Sequence, residues 1–240
     1  MKDYLQDIVQ HTHSLGIVDL VKVVGTETST VLDAVGDERV VVLKAQLHKP
    51  VPEFIGTFGM PNLGKLNTIL NIPEYKEDAT ITITKKDSGA PNGIHFENKV
   101  GDFKNDYRLM SAEIVIDKLK AFTFKSVKWG VEIEPSVASI QRLRFMAQAN
   151  SEETTFIAKV ENGNLVFYFG DHSSHAGHFV FAHDVAGSLS KSWSWPVSAV
   201  ISILGLSGDK MIRFSDEGAA QITVDSGIGV YNYILPAQTK

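Results

Sequence analysis

The feature that most constrains the fold is an internal duplication of the secondary-structure pattern. Each half of the 240-residue chain reads as a helix, three strands, a helix opened by proline, and three further strands. Pro61 opens the second helix of the first half, and Pro196 opens that of the second half. Runs of strands with only two helices per half favour antiparallel sheets that carry the helices on one face. The pattern therefore predicts an α+β protein with two similarly built domains.

The predicted elements divide into two domains with a basic connector between them. We expect an N-terminal domain at residues 1–116, a connector at 117–128 and a C-terminal domain at 129–240. The predicted helices cover residues 2–14, 61–70, 134–150 and 196–206. The predicted strands cover residues 17–24, 29–35, 39–47, 54–58, 79–85, 93–98, 107–116, a segment ending near 133, 154–160, 164–169, 177–182, 210–214, 219–224 and 227–234.

The composition is typical of a globular protein of the cytoplasm. Hydrophobic residues make up 43% and charged residues 21% of the chain, and there is no cysteine for a disulfide, a thiolate metal site or a nucleophile. The N-terminus carries aspartates instead of a signal-peptide core, and no apolar run is long enough to span a bilayer. The formal net charge of −5 argues against general coating of a polyanion, unless the positive charges are gathered on one surface.

The helix at 134–150 lacks acidic residues after Glu134. A solvated helix in an acidic chain normally mixes Glu with its Lys and Arg, so this helix indicates a surface suited to phosphate. A helix that is basic by chance is the alternative interpretation. The predicted inward residues are Val137, Ile140, Leu143 and Ala147. The predicted exposed polar residues are Gln141, Arg142, Arg144 and Gln148.

The other three helices also have surfaces without acids. In the first helix, Asp3 and Asp7 are expected on a stripe apart from the acid-free one. Lys65 is the only charge of the second helix, and the helix at 196–206 carries none. The first helix should turn Leu5, Ile8, Val9 and Thr12 inward, beside an acid-free stripe of Lys2, Gln6, Gln10 and His13.

Two motifs suggest chemistry that their context does not support. Residues 59–66 match a phosphate-binding loop until Leu66, which stands where a Ser or Thr hydroxyl should meet magnesium. Asp171, His172, His175 and His178 are spaced as metal ligands could be, but the surrounding Gly and Ser predict a polar loop. No nucleophile elbow or paired carboxylates stand out. We therefore expect no catalytic site, no metal and no cofactor.

Three segments, in this order and spacing, resemble a DNA sliding clamp. They are FIGTFGMPNLGKLNTIL, the helix at 137–149 with the following TTFIAKVENGNLVFYF, and the C-terminal YNYILPAQTK. The likeness is greatest to the clamps of T4-type bacteriophages and more distant to the eukaryotic clamp PCNA. It implies a homotrimeric ring that encircles duplex DNA without sequence preference. The ring would act as a processivity factor for a replicative polymerase, be opened by a clamp loader, and lie in the cytoplasm of a bacterial host.

The resemblance also implies site residues. The DNA-binding set is Lys2, Lys65, Gln141, Arg142, Arg144 and Lys191, with Lys118, Lys120, Lys125 and Lys128 adding to the field. The partner-binding set is Leu119, Phe122, Tyr233, Leu235 and Pro236. At the subunit interface, residues 107–114 of one subunit would pair with 177–182 of the next, packed by Leu109, Phe179 and Phe181. For each set, an ordinary solvated surface or plain core packing is the alternative.

Two other functions stay open at this point. One is a two-domain β-rich structural or binding protein, such as a virion component, with a ligand patch at Trp193 and Trp195. The other is a metal-dependent enzyme that uses His172, His175 and His178.

Overall fold

The computed structural model describes residues 1–36, 40–120, 126–171 and 175–238. The chain divides into two units. Unit 1 comprises Met1–Thr123 with Ser226–Tyr231, and unit 2 comprises Phe124–Asp225 with Asn232–Lys240. None of the helices in the described part of the chain has the length and hydropathy needed to span a bilayer.

Unit 1 carries its helices beside two antiparallel sheets. The helices are α1 (Lys2–Gln10), α2 (Leu63–Leu70) and α3 (Ala112–Lys118). The strands are β1 (Leu20–Gly25), β2 (Thr30–Val35), β3 (Val42–Leu47), β4 (Gly56–Pro61), β5 (Thr80–Lys85), β6 (Pro91–Glu97), β7 (Lys104–Arg108) and β8 (Met110–Ser111). One sheet has the order β8-β4-β1-β2-β3 and the other β5-β6-β7.

Unit 2 repeats the scheme. Its helices are α4 (Val137–Ala149) and α5 (Val197–Leu204). Its strands are β9 (Val131–Ile133), β10 (Thr155–Glu161), β11 (Asn164–Phe169), β12 (Gly177–Ala182), β13 (Ser194–Pro196), β14 (Asp209–Ser215), β15 (Ala219–Asp225) and β16 (Gly229–Pro236). The sheet orders are β16-β15-β14-β9 and β12-β11-β10-β13. The first residues of β16 belong to unit 1.

Apolar periodicity accounts for the core of each unit. In α1, Leu5 and Ile8 are fully buried, as the three-residue step predicts, and Leu63 and Leu66 of α2 are also fully buried. Unit 2 has an aromatic core in which the Phe167 ring lies 4.4 Å from that of Phe156 and 4.4 Å from that of Phe181. Large aromatic side chains remove more apolar surface from water than aliphatic ones, so this cluster stabilises the unit strongly.

The predicted strand at 107–116 is wrong beyond Ser111, because residues 112–118 form the helix α3. The run Ile114-Val115-Ile116 has high strand propensity, which tertiary context overrides. Glu113 in the first turn and Lys118 in the last turn complement the helix dipole. Val115 is the buried residue of α3, whereas Ile114 and Ile116 are exposed.

The prolines stand before the helices instead of inside them. Pro61 ends β4 opposite Leu20, and α2 begins after Asn62, whose positive φ of 52° reverses the chain. Asn tolerates this conformation better than most residues. Pro196 is likewise the N-cap of α5, and α4 begins after the N-cap Ser136.

Candidate nucleic-acid interface

In unit 1, the paired helices α1 and α2 form a groove lined with amides and hydroxyls. Leu63, Leu66 and Leu70 are buried, and Asn67 and Asn71, which are one turn apart, line the groove. The Asn71 side-chain amide donates to the Asn67 carbonyl at 2.8 Å. The groove residues are Gln6, Val9, Gln10, Ser14, Asn67, Leu70 and Asn71. This groove therefore offers hydrogen-bonding groups without a formal charge.

The two predicted cations of unit 1 differ in their surroundings. Lys65 is exposed on α2. The Lys2 ammonium donates to the carbonyls of Tyr75 and Lys76 at 2.6 and 3.0 Å, so it fastens α1 to the turn at Pro73–Tyr75. Lys2 therefore contributes charge from a fixed position.

Asp7, which was expected on a stripe apart from the acid-free one, is buried. Its carboxylate accepts hydrogen bonds from the Tyr231 hydroxyl at 2.7 Å and the Ser226 hydroxyl at 3.1 Å. His11 Nδ1 lies 3.2 Å from Asp7 Oδ1, and its ring stacks on Tyr231 at 4.5 Å. The carboxylate is thus held inside unit 1, away from the helix surface.

In unit 2, α4 presents its polar side chains to solvent. Gln141, Arg142, Arg144 and Gln148 are all exposed, as predicted from the pattern. Leu143 is the buried residue of α4, and Ile140 and Ala147 are half-buried. Val137 was expected inward, but 85% of it is exposed, because α4 reaches the core only through its middle turn.

Packing against neighbouring groups orients the two arginines. The Arg142 guanidinium lies 5.4 Å from the Phe179 ring centroid, within cation–π range. Arg144 reaches the C-terminal end of α5, where a Cβ built on Gly205 would lie 2.9 Å from Nη2. The negative end of the α5 dipole favours this guanidinium. Neither α4 nor α5 contains an acid.

Lys191 lies in a loop next to a carboxylate and is not part of the helix surface. Its backbone N–H donates to Asp216 Oδ1 at 3.0 Å, and its ammonium lies 5.8 Å from the Trp193 ring centroid. Burial raises the pKa of Asp216, but hydrogen bonds from Ser190 and Lys191 outweigh it and leave the pKa below its ordinary value. The Asp216 carboxylate is therefore held in its ionised form, and its negative charge offsets the positive charge of Lys191.

Exposed apolar side chains on the helices were missed from the sequence. Phe145 on α4 is 60% exposed, and Ile114 and Ile116 on α3 are about half exposed, at 51% and 54%. Phe145 falls outside the stripe of Ile140, Leu143 and Ala147, and this departure from periodicity is a signal that could have identified it.

The predicted partner-binding residues are dispersed. Tyr233 and Leu235 are fully buried in unit 2, whereas Pro236 is exposed. Phe122 and Lys125 lie outside the described residues. Leu119 lines a small groove in unit 1, which the sequence did not reveal. The groove is completed by Lys22, Asp33, Ala34, Val35, Val42, Leu43, Lys44 and Lys120.

The predicted interface residues are core residues of their own units. Leu109, Phe179 and Phe181 are 6%, 6% and 1% exposed. Strand β7 stands last in the order β5-β6-β7, and β12 stands first in β12-β11-β10-β13, as resolved for the described residues. These terminal strands can therefore offer backbone groups, while the three side chains support them from within.

Among the described residues, neither the metal site nor the tryptophan patch considered from the sequence is assembled. His178 is exposed and stacks on Tyr168 at 5.2 Å, while His172 lies outside the described residues. Within the described ranges, no three His, Asp or Glu residues form a group that could hold a metal. Trp195 is 2% exposed, and Trp193 donates its Nε1–H to the Asp216 carbonyl, so they form no exposed tryptophan patch.

The chain has the fold of the PCNA sliding clamps, over its whole length. A structure of A. fulgidus PCNA with the C-terminal region of FEN-1 bound covers 100% of this chain and 97% of its own, with a TM-score of 0.73 at 10% identity. PCNA of Thermococcus kodakaraensis covers 98% and 97%, with a TM-score of 0.70 at 14% identity. No protein-family model and no curated protein matches the sequence. The clamp-like fold expected from the sequence is confirmed, and the T4-type subfamily stays a prediction.

Proposed function

We propose that this chain is a DNA sliding clamp without catalytic activity of its own. Three copies would form a ring around duplex DNA, opened by a loader, and would tether a replicative polymerase and other replication proteins. The observation that carries the proposal is the exposed, acid-free α4 bearing Arg142 and Arg144 on a PCNA-like fold.

The chemistry of α4 suits movement along DNA. Duplex DNA is a uniform polyanion, so cations attract it at every position, while sequence is read only through base edges. Arg142 and Arg144 supply this attraction, and Gln141 adds an adaptable hydrogen-bonding group. Because a closed ring retains DNA by topology, strong contacts are unnecessary and would slow sliding. The groove between α1 and α2 also suits sliding, because its amides can form hydrogen bonds without the strong attraction of a formal charge.

For the ring, we propose head-to-tail contact between β7 of one subunit and β12 of the next. The unpaired backbone of a terminal strand is a template for a further strand. Among the described residues, the exposed large apolar side chains of the helices are Ile114, Ile116, Val137 and Phe145, and we assign them to the contact. Leu109, Phe179 and Phe181 then hold the two strands in place from the core.

For the partner proteins, we propose docking in the groove beside Leu119. Val42 and Leu43 give it a buried apolar wall for the anchor of a short peptide tail, and Lys44 and Lys120 stand exposed at its rim. Phe122 and Pro236 stay predicted partner-binding residues. Tyr233 and Leu235, which are fully buried, would act only through packing.

The DNA contact is tested by replacing both arginines of α4. We expect the double variant Arg142→Gln, Arg144→Gln to bind a mixed-sequence duplex more weakly, and the slope of log K against log salt to fall by about 2 because two phosphate contacts are lost. Fluorescence anisotropy at several salt concentrations measures both quantities.

A matched control carries the same change in charge elsewhere. Lys85 is the last residue of β5 and Lys86 follows it, and both are exposed, so Lys85→Gln, Lys86→Gln should leave affinity and slope as in the original chain. Equal binding by the arginine variant and the original chain would remove α4 from the DNA contact.

A further inference from the structure

Unit 1 has a further groove, separate from the groove beside Leu119, and it is lined by cationic side chains from different elements. Lys65 of α2 and Arg108 of β7 both line it, and it is open to solvent. Thr84, Asn92, Gly93, Asp106 and Tyr107 complete its described lining. Five of the lining side chains carry hydrogen-bond donors, those of Lys65, Thr84, Asn92, Tyr107 and Arg108, and the Tyr107 hydroxyl already donates to the Pro61 carbonyl.

The register of the sheet places Thr84, Gly93 and Arg108 side by side in the groove. Thr84 pairs with Gly93, and Gly93 pairs with Arg108. Directly paired residues direct their side chains to the same face. Gly93 has no side chain, so the Thr84 hydroxyl and the Tyr107 carbonyl oxygen can approach the backbone closely at this position. A Cβ on Gly93 would lie 2.9 Å from Thr84 Oγ1 and 3.1 Å from the Tyr107 carbonyl oxygen.

Other charged side chains on the same face of the sheet pair with one another and not with Arg108. Lys104 lies 3.3 Å from Glu97, and His95 lies 2.8 Å from Asp106. Asp106 is the acid of the groove, and its carboxylate is already engaged by His95. Among the described residues, neither Arg108 nor Lys65 takes part in an ion pair. Two cations that are in no ion pair among the described residues therefore line one groove.

We propose that this groove binds a phosphate group of a nucleic-acid backbone. The guanidinium fork of Arg108 matches two phosphate oxygens, and the Lys65 ammonium adds a point charge. The groove is open, so it admits a phosphate carried on a longer chain. The assignment to a DNA backbone rests on the proposed clamp function, whereas the phosphate chemistry follows from the groove alone.

The test uses the ¹⁵N-labelled full chain and two probes at constant ionic strength. Inorganic phosphate is titrated against chloride, and a short DNA duplex is titrated separately, while amide and arginine side-chain NMR signals are followed. We expect both probes to shift the signals of Gly93 and Arg108. In Arg108→Gln the affinity for phosphate should fall about tenfold, which corresponds to one lost charged contact.

Lys104→Gln is the matched control, since Lys104 is an exposed cation on the same strand and face but is paired with Glu97. It should keep the shifts at Gly93, and its spectrum, like that of Arg108→Gln, should otherwise show an intact fold. Phosphate shifts that are absent, or equal in Arg108→Gln and the original chain, overturn the site whatever the ring does. Shifts with phosphate but not with duplex overturn the assignment to nucleic acid. The proposed function would instead be contradicted if the double variant Arg142→Gln, Arg144→Gln bound the duplex as tightly as the original chain. The two failures are therefore distinguishable.

Discussion

At the scale of single residues, buried polar groups are explained by partners distant in sequence. The Asp7 carboxylate is bonded by Tyr231, 224 positions later in the chain. The periodicity of α1 places Asp7 at the margin of the apolar stripe, but nothing local shows that a tyrosine and a serine will meet it. Its burial could not be predicted from the sequence for that reason, whereas the burial of Leu5 and Ile8 could.

His95 provides a pH-dependent contribution to stability. Hydrogen bonding to Asp106, and then to Glu97, raises the pKa of His95 above its ordinary value near 6.5. Because the pKa is raised in the folded state, the stabilisation is fully present below about pH 6.5 and is lost as the pH rises through the folded-state pKa. We expect His95→Gln to be less stable than the original chain at pH 6 and to approach it by pH 8.

Urea unfolding at several pH values measures this difference. Hydrogen bonds from His95, and then from Lys104, lower the pKa of Glu97, so its contribution is present above its ordinary value near 4.5 and is lost in more acidic solution. The pH 6 to 8 interval therefore isolates His95. A constant difference between the two proteins over that interval would show that protonation of His95 does not stabilise the sheet.

At the scale of elements, the sequence predicts what periodicity and capping determine. Helices α1, α2, α4 and α5 and most strands follow from leucine steps and alternation. The helix α3 could not be predicted, because its Ile-Val-Ile run favours a strand locally and only its packing against β4 decides otherwise. The groove beside Leu119 depends on how the residues after α3 meet the hairpin of β2 and β3, which is not local information.

The N-cap of α4 gives a prediction at this scale. The Ser136 hydroxyl accepts a hydrogen bond from the Ser139 N–H at 3.0 Å, and α4 has only Leu143 fully buried to hold it to the core. We expect Ser136→Ala to destabilise the chain by about 1 kcal/mol, as losses of such caps typically do. Urea unfolding measures the change, and hydrogen exchange should show faster opening confined to the first turn of α4.

Ser198→Ala is the control, because Ser198 is exposed on α5 and follows the cap residue Pro196 without capping the helix itself. It should change stability by less than about 0.5 kcal/mol. Equal effects of the two substitutions would mean that α4 does not depend on its cap.

At the scale of the whole molecule, the fold class could be predicted from the sequence, and the site residues stay predictions. The duplicated order of helices and strands covers the full chain, and that order is what the PCNA structures share with it. The burial of predicted site residues on the strands and in the tail could not be predicted from the sequence, since it depends on packing partners. Those on α4 could be placed because a single exposed helix needs only its own periodicity.

The central claim is that copies of this chain close into a ring. Mass measurement in solution, combined with negative-stain imaging of the same sample, tests it most directly. The account predicts particles of three times the 26.3 kDa chain mass, seen as rings with a central hole. A single-chain mass at every concentration, with no rings in the images, would contradict it.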